Sequence, residues 1–422
     1  MIEPSPGVPP HIALLLNEPF DLDDVGAVRK QLKGMARELR AQAEASRSMF
    51  AVEVDSKPGD FRVVLSGGLD LLSGNGACQM PICRMNYAKQ VARSIALMAD
   101  QVVMNDFMEE DFLEISSRPK NSEVERFIPD IYVLKVLAPL VKAGVLQFIA
   151  PYMPACQGCI SEFDRRTEET ANEVFQTYAA SLGVERTEEY VAVDAGPLYD
   201  PHLFIRLSSQ WAATKGDEEL MRAVTLKCVR AALWDARNAA MVGGSLFSNS
   251  EVGLSGLLTQ EGRRLNPGEF QAFAGQRAAQ LPWVQGLSVS QTLELRHEAS
   301  AALPALREFL AKKLSAHSGS VSADTPHEYV IELREQAAAV RSELAAVTSR
   351  SPSLRRDVTG ILGLGVSALS YAAQGPFAAL STLLTTLGLI HAVPAPNGVH
   401  EQLLKSKPGY VLVAAQDILA HA

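Results

Sequence analysis

Up to residue 212, short apolar runs alternate with longer stretches of helical periodicity; beyond it, apolar positions recur almost only at helical spacing. His11–Leu16, Phe61–Leu65, Gln101–Met104, Val145–Ile149, Tyr190–Asp194 and Leu203–Leu207 read as strands. Phe50–Val54 reads as another and, with Phe61–Leu65, brackets the turn Lys57-Pro58-Gly59-Asp60 as a hairpin does. Between the strands, Asp21–Ser46, Asn86–Met98, Ser122–Lys142 and Cys159–Ser181 carry helical periodicity, with Pro129 and Pro139 breaking or kinking the third. After Gly216 the pattern predicts helices over Asp217–Val242, Gly268–Gln280 and Val289–Lys313, the last kinked or split at Pro304. Thr325-Pro326-His327-Glu328 is a capping box with proline at the first helical position. The helix it opens lines up Tyr329, Leu333, Ala337, Val340, Leu344 and Val347 in one apolar stripe, the pattern of a bundle face.

These elements predict a loose proline-bearing tail over 1–10 and an α/β N-terminal domain, a mixed sheet with helices, over 11–212. A mainly α-helical C-terminal domain follows over 213–422. Inside the helical domain, residues 358–390 contain no charge. Gly375-Pro376 divides them into two pieces, each shorter than the roughly 20 residues that a spanning helix needs. A buried apolar hairpin is the reading that follows. A hairpin that enters membranes, with Arg350, Arg355 and Arg356 facing anionic lipid, and a protein-binding surface are the alternatives.

Composition narrows the function classes. With 422 residues, 47% hydrophobic and 21% charged, the chain can bury a large core, which excludes wholesale disorder. A net charge of −9 argues against a dominant nucleic-acid surface. The first residues have no basic segment and no signal-peptide core, which predicts a cytoplasmic protein. Abundant alanine and arginine suggest a GC-rich bacterial source. In a reducing compartment, cysteines serve as metal ligands, redox groups or small core residues more than as structural disulfides.

The five cysteines are ordered. Cys78 and Cys83 form a C-x4-C pair, Cys156 and Cys159 a C-x2-C pair, and Cys228 sits in an apolar helical stretch that reads as core. Two close pairs can supply the four thiolates of a tetrahedral zinc ion, each pair chelating from one turn. Such a zinc is structural, because four thiolates leave no position for a substrate. It would tie distant parts of the fold together.

Val145–Pro151 runs as a strand into Cys156-Gln157-Gly158-Cys159, which opens a helix. That order resembles the local arrangement of thioredoxin-like sites, where the helix N-terminus lowers the first thiol's pKa. The resemblance spans about 30 residues, and the rest of the chain does not match that family. Ser66-Gly67-Gly68-Leu69-Asp70, after an apolar run, is similar to the opening of the ATP-pyrophosphatase phosphate loop, although Leu71 stands where that family has serine. No P-loop, HExxH, G-x-S-x-G or dinucleotide fingerprint occurs in the chain.

The leading expectation is a bacterial binding or assembly protein, working with a protein partner or a second copy of itself, stabilised by zinc on Cys78, Cys83, Cys156 and Cys159. One alternative is an enzyme, using Cys156 and Cys159 for thiol redox chemistry or the Ser66–Asp70 loop for a nucleotide. The other is a membrane effector acting through residues 358–390.

Overall fold

A computed structural model describes residues 2–5, 7–48, 61–72, 80–151, 156–188, 190–194, 205–207, 209–248, 250–260, 286–315, 325–349 and 397–421. The chain forms two compact units, Met1–Gly275 and Gln276–Ala422. Phe50–Val54, Gly268–Gln280, Cys78 and the uncharged segment 358–390 lie outside the described residues.

The first unit is an α/β assembly. Its helices and strands run α1 (Pro10–Asn17), α2 (Val25–Ser48), β1 (Arg62–Ser66), α3 (Pro81–Met98), β2 (Gln101–Asn105), α4 (Met108–Glu114), α5 (Asn121–Glu125), α6 (Ile128–Lys142), β3 (Leu146–Ile149) and α7 (Gln157–Tyr178). They continue as β4 (Gly183–Arg186), β5 (Val191–Asp194), β6 (Ile205–Leu207), α8 (Ser209–Ala212), α9 (Asp217–Met241), β7 (Ser245–Ser248) and α10 (Glu251–Gln260). Four strands form a parallel sheet in the order β3-β2-β1-β7. Every residue of β1, β2 and β3 is buried, as in a parallel sheet covered on both faces. Ala239 of α9 and Val242, which caps its C-terminus, cluster with Val64, Val103 and Ile149 of the sheet. Thus α9, the first long helix after the alternating half of the sequence, packs on the sheet. A second, antiparallel sheet, β4-β5-β6, supplies Val191 and Val193 to a core shared with α7, α9 and α10.

Several expected elements change. His11–Leu16 is helical, not extended: Pro10 occupies the first turn, and residues 10–13, 15 and 16 are buried around the helix. A short apolar run fits a buried helix as well as a strand, and the proline at its start favours the helix. The region Ser122–Lys142 breaks into α5 and α6, with Pro129 in the first turn of α6 and Pro139 tolerated inside it. Residues 289–313 likewise divide before Pro304. The N-terminal segment is docked: Gly7 accepts a hydrogen bond from Phe148 N–H at 2.8 Å, and Asn17 pairs with the backbone of Ile2.

Two buried arginines tie the layers. Arg62 donates to Gln101 at 2.9 and 2.6 Å and to the Val242 carbonyl, so β1, β2 and the end of α9 share one guanidinium. Arg84 of α3 meets Asp130 of α6 at 2.6 Å.

All described elements of the second unit are helices: α11 (Val289–Glu298), α12 (Leu303–Ser315), α13 (Thr325–Ser349), α14 (Asn397–Lys405) and α15 (Tyr410–His421). Helix α13 packs against α14 and α15. Leu333, Ala337 and Val340 of its predicted stripe are buried. Among the described residues no helix is long and apolar enough to cross a membrane.

Candidate functional site

Because β1, β2, β3 and β7 are parallel, their carboxyl ends share one edge. The chain goes from β1 to β2 to β3 in one direction across the sheet and places β7 on the opposite side of β1. Open parallel sheets hold ligands where the strand order reverses in this way, beyond the carboxyl ends. Here that point is β1 and β7.

Both cysteine-bearing connections leave this edge. The β1–α3 connection carries Cys78, which is not among the described residues, and Cys83, exposed in the first turn of α3. The β3–α7 connection carries the other pair. Cys156 is the N-cap of α7, and its Sγ accepts from Cys159 N–H at 3.4 Å. The two sulfurs stand 3.2 Å apart, and both side chains are exposed. The Cys159 N–H, followed by the Cys159 thiol, holds the Cys156 thiol below its ordinary value. Its own bond to Cys156, and then the neighbouring charge, push the Cys159 thiol up. The pair is thus split into an acidic thiol and a more basic one. Arg237 of α9 adds positive charge on the Cys159 side. Among the described residues no three His, Cys, Asp or Glu side chains gather as metal ligands. Cys228 is buried among α9 and α7 side chains, as its apolar neighbours predict.

Helix α9 connects this dithiol with a buried polar cluster. Phe163 of α7 meets Trp234 edge to face at 4.9 Å, and Asp164 pairs with Arg230 at 2.7 Å. Trp234 and Asn238 both donate to the carbonyl of Pro151, just before the cysteine loop. Asn238 also donates to Asn105 Oδ1 at 3.1 Å. Asn105, the last residue of β2, donates to Asp70 and to Asp235, each at 2.9 Å. Asp70 ends the Ser66–Asp70 turn, in which Gly67 takes a φ of +66°, a conformation suited to glycine. Burial, followed by the charge of Asp235, pushes the Asp70 acid well above its ordinary value. Burial raises Asp235 to about 6, although Ser66 and Asn105 hold it back. The turn ends on a buried acid, and α3 begins only at Pro81.

Two further buried contacts line the same edge. His11 Nε2 lies 2.7 Å from Asp106 Oδ2, just past β2, and both side chains are excluded from solvent. Tyr178 bridges Glu251 at 3.0 Å and Ser255 at 2.8 Å, beyond the end of β7. Burial raises the Glu251 acid to about 7. Apart from Asp70, none of these buried polar groups stands in a motif. The available signal was polar residues on an otherwise apolar helix face: Asp235 and Asn238 share the buried side of α9 with Ala232 and Ala239. In the second unit, a concavity of about 450 Å3 is lined by Glu294, Glu298, Tyr410, Asp417 and His421, among others.

No family model, curated protein or solved structure matches the chain.

Proposed function

We propose that the chain is a thiol–disulfide oxidoreductase whose working groups are Cys156 and Cys159. One observation carries this reading: an exposed N-cap thiol accepts the Cys159 N–H, with the second sulfur 3.2 Å away. Helix N-termini and donated hydrogen bonds stabilise a thiolate, the nucleophile in disulfide exchange. The Cys156 thiolate attacks one sulfur of a substrate disulfide. A new S–S bond forms to Cys156, the substrate S–S bond breaks, and the departing thiolate takes a proton from water. Cys159 then loses its proton and attacks Cys156 Sγ. The mixed disulfide breaks, the second substrate thiol leaves, and Cys156–Cys159 becomes the disulfide. Two electrons pass to the substrate, and an external dithiol returns them.

The four-cysteine zinc staple is the second reading, supported by the common sheet edge from which both cysteine connections depart. Under it, zinc on Cys78, Cys83, Cys156 and Cys159 stabilises the fold, and function belongs to a surface that binds a protein partner or another copy. A reducing bacterial cytoplasm suits either reading.

Bound metal and thiol alkylation, measured on one tag-free sample, separate them. The oxidoreductase reading expects no zinc, fast alkylation of Cys156 at neutral pH, and loss of disulfide reduction in Cys156→Ser. One zinc per chain, with thiols reactive only after chelation, would replace it with the staple.

A further inference from the structure

We propose that Arg237 of α9 is the positioning residue of the resolving step: its guanidinium stabilises the Cys159 thiolate after Cys156 has entered the mixed disulfide. The inference rests on the oxidoreductase reading and assigns a residue to its second step. Its basis is the register in which α7 and α9 pack. Arg222 Cζ lies 4.2 Å from the centre of the Phe175 ring, and the same guanidinium donates to Asn172 at 3.4 Å. Arg230 meets Asp164 at 2.7 Å. Trp234 meets Phe163 edge to face at 4.9 Å. Partner numbers fall along α7 as they rise along α9, so the two helices run antiparallel. Arg230, Trp234 and Arg237 follow one another at steps of four and three, which keeps them on one face of α9. Cys159 and Phe163 are four apart on α7. The rung beyond Phe163 and Trp234 therefore joins Cys159 with Arg237.

Packing holds Arg237 in that place. Its Cζ stands 5.4 Å from the centre of the Trp234 ring, a cation–π contact. Trp234 is fixed in turn by its bond to the Pro151 carbonyl and by Phe163. The other charged groups on these two faces are spent on one another: Arg230 on Asp164, and Arg165 and Arg166 on Glu162. In the resting dithiol the bond to Cys156, and then the charge of Cys156, push the Cys159 thiol up, and the charge of Arg237 opposes them. In the mixed disulfide the Cys156 sulfur is no longer ionised, so its repulsion ends while the charge of Arg237 stays. Cys159 then gives its proton to water, and its thiolate attacks Cys156 Sγ. The bond from Cys156 to the substrate sulfur breaks, and the substrate thiolate leaves and takes up a proton. The asymmetry of the pair serves the first attack, and the fixed cation serves the second.

The test mixes the reduced full chain with dithiodipyridine, an uncharged disulfide that offers Arg237 no carboxylate to hold. Acid quenching at set times, followed by mass spectrometry of the peptide that carries both cysteines, separates the mixed disulfide on Cys156 from the Cys156–Cys159 disulfide. In Arg237→Gln the mixed disulfide is expected to form at nearly the wild-type rate and to resolve about threefold or more slowly at neutral pH. The difference should close at alkaline pH, where Cys159 ionises in both proteins, and shrink at high salt, because Cys159 is exposed. Arg237→Lys, which keeps the charge, should recover part of the rate. Equal resolution by wild type and Arg237→Gln overturns the inference and leaves the oxidoreductase reading standing. So does a slowing that is the same at every pH and that Arg237→Lys shares, since loss of packing on Trp234 would then explain it. Absence of any mixed disulfide on Cys156 in wild type overturns both the reading and the inference.

Discussion

At the scale of single residues, Asp235 makes the clearest statement about pH. Its acid is raised from 3.8 to about 6 in the folded chain. The folded state therefore binds this proton more tightly than the unfolded state. Its contribution is complete below about pH 4 and is lost as pH rises through about 6, amounting to roughly 2–3 kcal/mol. Asp70 shifts in the same direction. Asp235→Asn should gain stability relative to wild type between about pH 4 and about pH 7.5. Parallel urea-denaturation profiles at the two pH values would remove Asp235 from that account. His11 and Asp106 give a second residue-level expectation. Removing one member of a buried pair leaves an uncompensated group and costs about 3–5 kcal/mol. His11→Ala should lose that much, and the His11→Ala/Asp106→Ala double variant much less than the sum. A double-mutant cycle with no coupling would mean that the 2.7 Å contact contributes little. The sequence made the cysteines visible because C-x2-C is a spacing. It hid the Asn105 cluster, whose contacts join positions 35, 130 and 133 residues apart.

At the scale of elements, local signals decided some cases and tertiary contacts decided others. Long periodic helices such as α2, α7 and α9 were legible because their apolar stripes run for many turns. Strand β7 was not, because Ser245–Ser248 has only two apolar residues and gains its pairing from β1. Glycines show the same division between local and tertiary causes. Gly34 lies in α2 with open space where a Cβ would stand, so only helix propensity acts there. Gly34→Ala should stabilise by about 0.5–1 kcal/mol. Gly256 of α10 lies against Val229 of α9, where a Cβ would stand 2.7 Å from a valine methyl. Gly409, ahead of α15, is tighter: a Cβ would meet the Ala337 backbone nitrogen at 2.6 Å, and backbone gives way less than a side chain. Gly256→Ala and Gly409→Ala should each destabilise by about 1–3 kcal/mol, the second more. Thermal melts of the three variants check both signs, and a stabilised Gly409→Ala would contradict the close approach of α13.

At the scale of the whole molecule, the groups that the proposed dithiol chemistry uses lie in the first unit. The parallel sheet, the dithiol, the polar cluster on α9 and the core shared by α7, α9 and α10 all fall within Met1–Gly275. A unit with sheets and hydrophobic cores of its own is the kind that can fold alone. The second unit has internal ties of its own: Arg341 meets Asp417 at 2.7 Å, and Tyr410 donates to Glu298 at 3.1 Å. Residues 1–275 expressed alone should give one cooperative unfolding transition by circular dichroism and should keep the rapid alkylation of Cys156 expected of the full chain. The thiol's acidity comes from the Cys159 N–H and the helix end, both inside the fragment. A fragment that folds cooperatively but loses that reactivity would show that the second unit shapes the dithiol. A fragment that melts without cooperativity would show that the two compact units fold only together.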